Sequence, residues 1–211
     1  MDNDIADFDE LSRVADDSTS SPQAASRAQR WFVEHRQIAA ARNAGARQAH
    51  RDILVFVDAD TLTNAPAIQS ALGAIRAGAI GGGCVPRFEG WLPWWFRLTE
   101  PLIEPAVRLV RFLPSGTFLF CTRSAFQTAG GFDENYYAAE EVVFVAALKR
   151  QGRFVILSET VVTSGRKFRA YSFWSLARLL MRLVLRGPGG FRNRRGLEYW
   201  YEPKRGKRSD L

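Results

Sequence analysis

The chain has 211 residues, of which 46% are hydrophobic and 24% are charged. This length and composition suit one globular domain with its own core and exclude disordered and fibrous proteins. The two cysteines, Cys84 and Cys121, are too few for a disulfide framework and lack metal-ligand spacing. We therefore expect each to be a small buried apolar residue in a protein of a reducing compartment.

The net charge of +7 is concentrated near the C-terminus. Residues 165–211 contain thirteen Lys or Arg and three Asp or Glu. This excess predicts an anionic partner, which is a nucleic acid, a phospholipid surface or a phosphorylated substrate. The N-terminus is acidic and shows no secretory signal, and no uncharged apolar run reaches the roughly 18 residues of a spanning helix. We expect a cytoplasmic protein without a membrane-spanning helix.

Strands and helices alternate through the first half of the chain. A brief strand at 31–33 precedes an alanine-rich helix over 37–49. A strand over 53–57 leads to a helix that Thr63 or Asn64 caps and that ends near residue 77, and a glycine-rich strand over 79–85 follows. This alternation is typical of βαβ units and predicts a parallel sheet.

The segment 91–113 carries three tryptophans, with two internal prolines after Pro93. Two interpretations remain open: a broken helix that packs on the domain, or a surface that meets lipid headgroups, which tryptophan and arginine suit. The later predicted elements are a strand at 117–121, helices at 124–128 and 140–150, and short strands at 154–157 and 161–162.

The segment 173–186 is apolar except for Arg178, Arg182 and Arg186. Their spacing of four places them in one stripe on a helix. A basic stripe beside a leucine-rich face is typical of helices at a membrane surface, although core-facing amphipathic helices have a similar pattern. Of the two, we favour contact with a membrane surface.

The strand over 53–57 ends in two aspartates, Asp58 and Asp60. Five consecutive β-formers predict a strand that is buried on both faces. Because side chains alternate along an extended chain, the two carboxylates should point in the same direction. They would lie just past the carboxyl end of the strand, which is where open α/β sheets bind ligands. Such a pair could hold a hard divalent cation and a phosphate-bearing ligand. The alternative is that the aspartates only form a turn and cap the next helix.

Four motifs follow one another along the chain: VADDSTS at 14–20, ARNAGA at 41–46, FVDADT at 56–61 and GGFDENYYAAEE at 130–141. In this order they resemble family 2 glycosyltransferases of the GT-A fold, over about residues 14–201. The resemblance implies an α/β Rossmann-like fold with a mostly parallel central sheet flanked by helices. We expect a catalytic domain over 1–165 and, packed on it, a basic amphipathic helical extension over 166–211.

By matched position, the resemblance assigns the donor-binding residues. Asp16 and Asp17 resemble the acidic pair that contacts the base and ribose of the nucleotide. Arg42 and Asn43 resemble residues that lie against the nucleotide. Asp58 and Asp60 resemble the DxD motif, with Asp60 the expected direct ligand of Mg²⁺ or Mn²⁺.

The resemblance also assigns the catalytic pair. Glu140 and Glu141 resemble the Glu-Asp pair whose second residue is the catalytic base, and an acceptor hydroxyl does need a carboxylate to take its proton. The metal ion would neutralise the negative charge of the departing diphosphate, and Arg166 and Lys167 could add further positive charge there. Glutamates also favour the first turn of any helix, which is the alternative explanation of the pair.

The implied reaction is an inverting single displacement from a nucleotide-sugar donor, most commonly a UDP-sugar. A lipid-linked or envelope polysaccharide acceptor would suit the tryptophans and the arginine stripe. The protein would then lie in the cytoplasm, peripherally on the inner face of an anionic membrane, with no nucleic acid partner.

The alternative is a catalytically impaired or non-catalytic membrane-surface binding module of the same fold. A nucleotidyltransferase would need a glycine-rich loop near the N-terminus, which is absent from the sequence.

Two features depart from the family's pattern. The segment MDNDIADFDELSR stands where the family has an apolar strand, so the first strand of the sheet is expected to be missing. Either the start is truncated, or the fold tolerates the loss and the donor site is incomplete. Glu141 stands where the family typically has aspartate. The extra methylene displaces the carboxylate, and catalysis is sensitive to displacements of about 1 Å.

Overall fold

The computed structural model describes residues 37–110 and 117–166, and also residues 168, 173–174, 177–178, 181, 185 and 191–192. Asp16, Asp17, Lys167 and the strand expected at 31–33 lie outside the described residues. So does the question of a missing first strand.

Helices and strands alternate along the described chain, in the order α1 (Ile38–Gln48), β1 (Ile53–Val57), β2 (Thr61–Leu62), α2 (Ala65–Arg76), β3 (Gly81–Glu89), α3 (Trp94–Val110), β4 (Phe118–Thr122), α4 (Arg123–Thr128), α5 (Glu140–Lys149) and β5 (Phe154–Ser164). The predicted α/β class and most element positions are confirmed. Two predictions differ in detail. The strands expected at 154–157 and 161–162 are one strand, β5, and α3 continues through Pro101 and Pro105.

Side-chain caps fix where two of the helices begin. The Asn64 side chain accepts a hydrogen bond of 2.8 Å from the Ala67 N–H at the start of α2, as the sequence predicted. At the start of α4, the Thr122 hydroxyl accepts a hydrogen bond of 3.1 Å from the Ala125 N–H. These caps set the points at which the chain leaves the sheet for each helix.

The five described strands form one sheet with the order β1-β4-β3-β5-β2. Only β3 and β5 pair in parallel, whereas β1–β4, β3–β4 and β2–β5 pair antiparallel. The described sheet is therefore mixed, which corrects the expectation of a mostly parallel one. The physical reason is that β1, β3 and β5 run the same way, as βαβ units require, but β4 is inserted between β1 and β3 in the opposite direction.

β1 is an edge strand of the described sheet, and only one of its faces is covered. Leu54 and Phe56 face the core, while Val55 and Val57 are 39% and 40% exposed. The expectation that this strand is buried on both faces is therefore wrong for the described structure. The burial follows the two-residue alternation of a strand with one covered face.

Helices cover both faces of the middle of the sheet, and β4 shows the division. Its residues Phe118 and Phe120 pack with α2, whereas Leu119 and Cys121 pack with α1 and α5. Cys84 and Cys121 are buried free thiols, and burial raises the pKa of each to about 12. The prediction that both are small buried residues is confirmed.

Gly82 in β3 allows a close approach between strands. A Cβ at this position would lie 2.4 Å from the carbonyl oxygen of Val155 in β5 and 2.6 Å from the ring of Phe120. The missing side chain of Gly82 thus admits the neighbouring backbone.

Within the described residues, no helix is long and apolar enough to cross a membrane. Residues 173–174, 177–178, 181 and 185 are helical. The domain boundary expected between residues 165 and 166 stays a prediction.

Candidate functional site

Arg42 on α1 joins the end of β1 to the start of α5. Its Nη2 lies 2.7 Å from Oδ1 of Asp58, and its Nη1 lies 3.1 Å from Oε1 of Glu140. The guanidinium also lies over the ring of Phe132, 5.2 Å from the centroid. Arg42 thus brings together two of the motifs predicted from the sequence, the aspartates after β1 and the glutamates at the start of α5.

The charges around Arg42 hold it in its cationic form. Burial alone would lower the pKa of Arg42, but the carboxylates of Asp58, Glu140 and Glu141 outweigh that effect and raise it. The Arg42 side chain is only 12% exposed and that of Glu140 only 4%. The Arg42–Glu140 pair is therefore shielded from water. Removing either side chain would leave the charge of the other buried without its partner.

Asn43, the neighbour of Arg42 on α1, fixes the loop that precedes α5. Its amide nitrogen donates to the carbonyl oxygen of Phe132 at 2.8 Å and to Oε1 of Glu134 at 2.9 Å, and its oxygen accepts from the Phe132 N–H at 2.9 Å. Gly131 has φ +73°, and a Cβ there would lie 2.8 Å from Oδ1 of Asn43. The sequence predicted a nucleotide contact for Asn43, and the structure gives its side chain a positioning role.

The Asp133 side chain forms a turn in the loop before α5. Oδ1 of Asp133 accepts hydrogen bonds from the backbone N–H of Asn135 at 2.9 Å and from its side chain at 2.8 Å. Gln37 closes the loop from the other side, donating to the carbonyl oxygens of Glu134 and Tyr136. The loop before α5 is thus held at several points along its backbone.

Asp58 and Asp60 lie in a turn and not on an extended strand. The Thr61 N–H donates to the carbonyl oxygen of Asp58 at 3.0 Å, which closes a β-turn over 58–61. The alternation expected to aim both carboxylates the same way therefore does not apply. The Asp58 carboxylate is directed instead to Arg42, while the Asp60 side chain makes no hydrogen bond or ion pair within the described residues.

The carboxyl end of β5 holds the backbone of this turn. The Asp60 carbonyl oxygen accepts from the Ser164 N–H at 3.1 Å and from the Thr163 hydroxyl at 3.3 Å. Arg166 follows two residues later, is exposed, and donates its backbone N–H to the Ser164 hydroxyl at 3.3 Å. Arg166 is thus placed near the Asp60 turn.

Helix α5 begins with a strained residue. Ala139, its N-cap, has φ +60°, a left-handed conformation that costs a non-glycine residue about 1–2 kcal/mol. This turn sets the direction in which Glu140 and Glu141 leave the loop. Glu140 points to Arg42 and is buried.

Glu141 is half-buried and forms no ion pair within the described residues. Burial is the main cause that raises its pKa, from 4.5 to about 8, and the adjacent Glu140 carboxylate raises it further, while Arg42 opposes both. A carboxyl group of this pKa can take up and release a proton near neutral pH. The two glutamates therefore differ in chemistry although they are neighbours in sequence.

Sequence reasoning missed Phe191 and Arg192, which hold the loop before α5. Phe191 is buried against Ala138 and Ala139, and its carbonyl oxygen accepts from the Tyr137 N–H at 2.9 Å. Arg192 lies over the ring of Tyr136 at 5.1 Å and donates to its hydroxyl at 3.2 Å. The signal in the sequence is a single aromatic residue after the Gly-Pro-Gly-Gly run, in a stretch otherwise read only for its charge.

No group of three or more His, Cys, Asp or Glu within the described residues is arranged to hold a metal ion. The candidate ligands Asp58 and Asp60 are a pair on one turn. Carboxylate oxygens are the donors that Mg²⁺ and Mn²⁺ prefer, so the chemistry of this pair suits the expected ion.

Comparison with known proteins identifies the family. A search of curated proteins found no match. The family model described as Glycosyl transferase family 2 matches residues 13–131, more than half of the 211-residue chain. The matched span contains Arg42 and the 58–61 turn and ends before Glu140 and Glu141. The chain belongs to glycosyl transferase family 2.

Proposed function

We propose that the protein transfers a sugar from a UDP-sugar to an acceptor hydroxyl with inversion, and that Glu141 is the base. Family membership implies the coarser part of this statement, a glycosyltransferase of the α/β GT-A type with a nucleotide-sugar donor. The observation that supports the role of Glu141 is its half-buried carboxyl, with a pKa of about 8, beside a glutamate that is already paired.

The pairing of Glu140 separates the roles of the two glutamates. Because Oε1 of Glu140 is bound to Arg42, Glu140 serves to hold α5 against α1. Glu141 has no such ion pair within the described residues. Its carboxyl is hydrogen-bonded to the neighbouring Glu140 side chain and to its own backbone N–H, and we assign it to the acceptor hydroxyl. A base works best when its pKa lies near the working pH, which a pKa of about 8 satisfies.

The donor side of the proposal rests on Arg42, Asn43 and Asp58. Arg42 and Asp58 form a charged pair that is positioned by two elements, so a nucleotide lying against them would meet a rigid surface. Asn43 would act by holding the loop next to it. Asp16 and Asp17 are proposed to contact the base and ribose on the strength of the family's pattern alone.

We place the metal at the 58–61 turn. Asp60 would hold Mg²⁺ or Mn²⁺ directly, with Asp58 beside it, since the Asp60 carboxylate is not engaged by any other described residue. Such an ion would supply Lewis-acid stabilisation of the departing diphosphate. Arg166, and Lys167 after it, would add positive charge on the same side.

The acceptor class that we propose is lipid-linked. Its support is the set of exposed tryptophans and leucines that begins next to the site, with Trp94 75% exposed. The competing candidate is a binding module of the same fold that has lost catalysis. The specific observation in its favour is Glu141 itself, which carries one methylene more than the family's usual aspartate.

The test is a transfer assay with a panel of UDP-sugars and a crude lipid extract as acceptor source, measured as UDP release. Wild-type protein should release UDP in an extract-dependent manner, and Glu141→Gln should lose at least about a hundredfold of that rate, the range of general-base contributions. Glu89→Gln, which alters an exposed glutamate, is the matched control. UDP release by the Glu141→Gln variant at the wild-type rate would remove Glu141 as the base.

The pH profile adds a second measurement. Since only the unprotonated carboxylate can act as base, the turnover rate should rise with pH and level off above about 8. Glu141→Asp should keep activity with a shifted profile. A rate that is flat between pH 5 and pH 9 would contradict a base of the stated pKa.

A further inference from the structure

Helix α3 exposes a line of large apolar side chains. Trp94, Leu98 and Leu102 are 75%, 70% and 66% exposed. They are four residues apart, so they lie on one side of the helix, and Pro101 and Pro105 are exposed as well. Exposed apolar side chains scattered singly are normal, but a continuous line of this size marks a contact surface.

A second line runs through the helical positions after residue 172. Trp174, Met181 and Leu185 are 74%, 57% and 74% exposed, and Arg178 between them is exposed too. The spacings of four, three and four residues place all of these on one side of a helix. This line therefore combines large apolar groups with a basic one.

Aromatic ring contacts join the two segments where they begin. The ring of Phe96 lies 4.0 Å from that of Phe168, and the ring of Trp95 lies 5.6 Å from that of Phe173. These ring contacts hold the start of α3 against the chain around residues 168–173. We call the outward-facing set the apolar face, and it consists of Trp94, Leu98, Leu102, Trp174, Met181 and Leu185.

The charged side chains that the structure describes as exposed on the two segments are those of Arg97 and Arg178, and exposed Arg166 lies between the segments in the sequence. Residues 165–211 contain thirteen basic and three acidic residues. Tryptophan beside arginine is the combination found where proteins meet lipid headgroups. Anionic headgroups complement such charge, with each basic residue near the surface worth roughly a fivefold change in affinity.

Backbone hydrogen bonds connect the apolar face to the candidate site. Ser164 donates to the Asp60 carbonyl oxygen at 3.1 Å, and the next residue, Gly165, donates to that of Glu89 at 3.0 Å. A Cβ on Gly165 would lie 2.5 Å from the Leu92 side chain, so the segment that leads into α3 packs tightly here. The Asp60 turn is therefore linked to the start of α3 through the contacts of Ser164 and Gly165.

We propose that the apolar face docks on an anionic phospholipid bilayer and so brings the site to acceptors embedded in that bilayer. The docking itself follows from the exposed groups and their charge. The statement about acceptors rests on the proposed function. A lipid-linked hydroxyl at the headgroup level would then approach the site from the side of α3.

The test is co-sedimentation of the full chain with vesicles of phosphatidylcholine, with and without phosphatidylglycerol. Binding should require phosphatidylglycerol and weaken with salt, because screening reduces the attraction of exposed charges. Trp94→Ser combined with Trp174→Ser should lower vesicle affinity by about tenfold or more, and Arg178→Ala by about fivefold. Leu62→Ser, at an apolar residue 40% exposed on β2, is the matched control and should bind as wild type.

Three results would overturn the docking proposal. These are failure of the full chain to sediment with phosphatidylglycerol vesicles, equal loss of binding in Leu62→Ser, or a dimer in light scattering that the tryptophan variants abolish. The last result would assign the face to a second copy of the chain. Binding to DNA that competes with the vesicles would count against the proposal in the same way.

Calorimetry with UDP and Mn²⁺ on the same variants separates this proposal from the proposed function. The variants of the apolar face should keep wild-type affinity for UDP with Mn²⁺, which also shows that they fold. Vesicle binding without UDP binding would leave the docking proposal standing and remove the sugar-transfer proposal. UDP binding without vesicle binding would do the reverse.

Discussion

Arg42 and Glu140 form a buried ion pair, with 3.1 Å between Nη1 and Oε1, although they are 98 residues apart in the sequence. The same guanidinium binds Asp58 at 2.7 Å. One side chain therefore sets the distance between the turn that carries Asp60 and the helix that carries Glu141. In the proposed reaction these are the two sides between which sugar and acceptor would meet.

Removing Arg42 should destabilise the protein strongly. Arg42→Ala leaves the Glu140 carboxylate buried without its main partner, an effect of about 3–5 kcal/mol for pairs of this kind. In urea denaturation, the double variant Arg42→Ala/Glu140→Gln should recover part of the loss, because the buried Glu140 charge is then removed together with its partner. Arg47→Ala, at an exposed position on the same helix, is the control. Strictly additive effects in the double variant would contradict the coupling.

Stability should depend on pH through Glu141. Its pKa is raised from 4.5 to about 8 in the folded protein, so the folded state binds the proton more tightly than the unfolded state does. The resulting stabilisation is complete below pH 4.5 and is lost as pH rises towards 8. Glu141→Gln should remove this decline.

The measurement is the midpoint temperature Tm, followed over that pH range for the wild type, Glu141→Gln and the exposed control Glu89→Gln. A change of 1 kcal/mol shifts Tm by about 2–4 °C in a protein of this size. An unchanged pH dependence in Glu141→Gln would show that its carboxyl is not the group with the raised pKa.

Two adjacent glycines provide a matched test of the Asn43 contact. Gly130 and Gly131 have φ of +77° and +73°, so alanine at either position carries similar backbone strain. Only at Gly131 would the added Cβ meet Oδ1 of Asn43, at 2.8 Å, whereas nothing lies within 4 Å at Gly130. Gly131→Ala should therefore lower the free energy of unfolding by at least about 1 kcal/mol more than Gly130→Ala. Equal effects would mean that the loop moves away from Asn43 freely.

Phe191 should be needed for stability although it lies far along the chain from the loop that it covers. It is 2% exposed, and Phe→Ala changes in cores cost about 3–5 kcal/mol. Phe173→Ala, at a residue 45% exposed, should cost much less. Calorimetric unfolding of both variants checks this, and a Phe191→Ala variant as stable as Phe173→Ala would place Phe191 outside the core.

The sequence predicted the elements well because each depends on local signals. The apolar run at 53–57, the Asn64 cap and the alanine-rich α1 all act within a few residues. The antiparallel insertion of β4 was not predictable, since strand direction depends on how the chain returns to the sheet. The burial of β1 on one face only is a consequence of its neighbours and not of its own residues.

The sequence named the candidate site residues one by one, but the contacts among them could not be predicted from it. The motifs named Arg42, Asn43, Asp58 and Glu140 separately, and no local pattern shows that Arg42 would bridge the other two charges. Nor does a local pattern reveal that the Asn43 side chain would form its hydrogen bonds with the 131–134 loop. The contact of Phe191 with Tyr137 joins positions 54 residues apart and was likewise invisible in the sequence.

The most direct test of the sugar-transfer proposal is calorimetric titration with UDP, with and without Mn²⁺. Wild-type protein should bind UDP only when Mn²⁺ is present, and Asp60→Asn should lose that binding, while the exposed control Asp52→Asn should keep it. UDP binding that is equally strong without Mn²⁺, or in the Asp60→Asn variant, would contradict the assignment of the metal to the 58–61 turn.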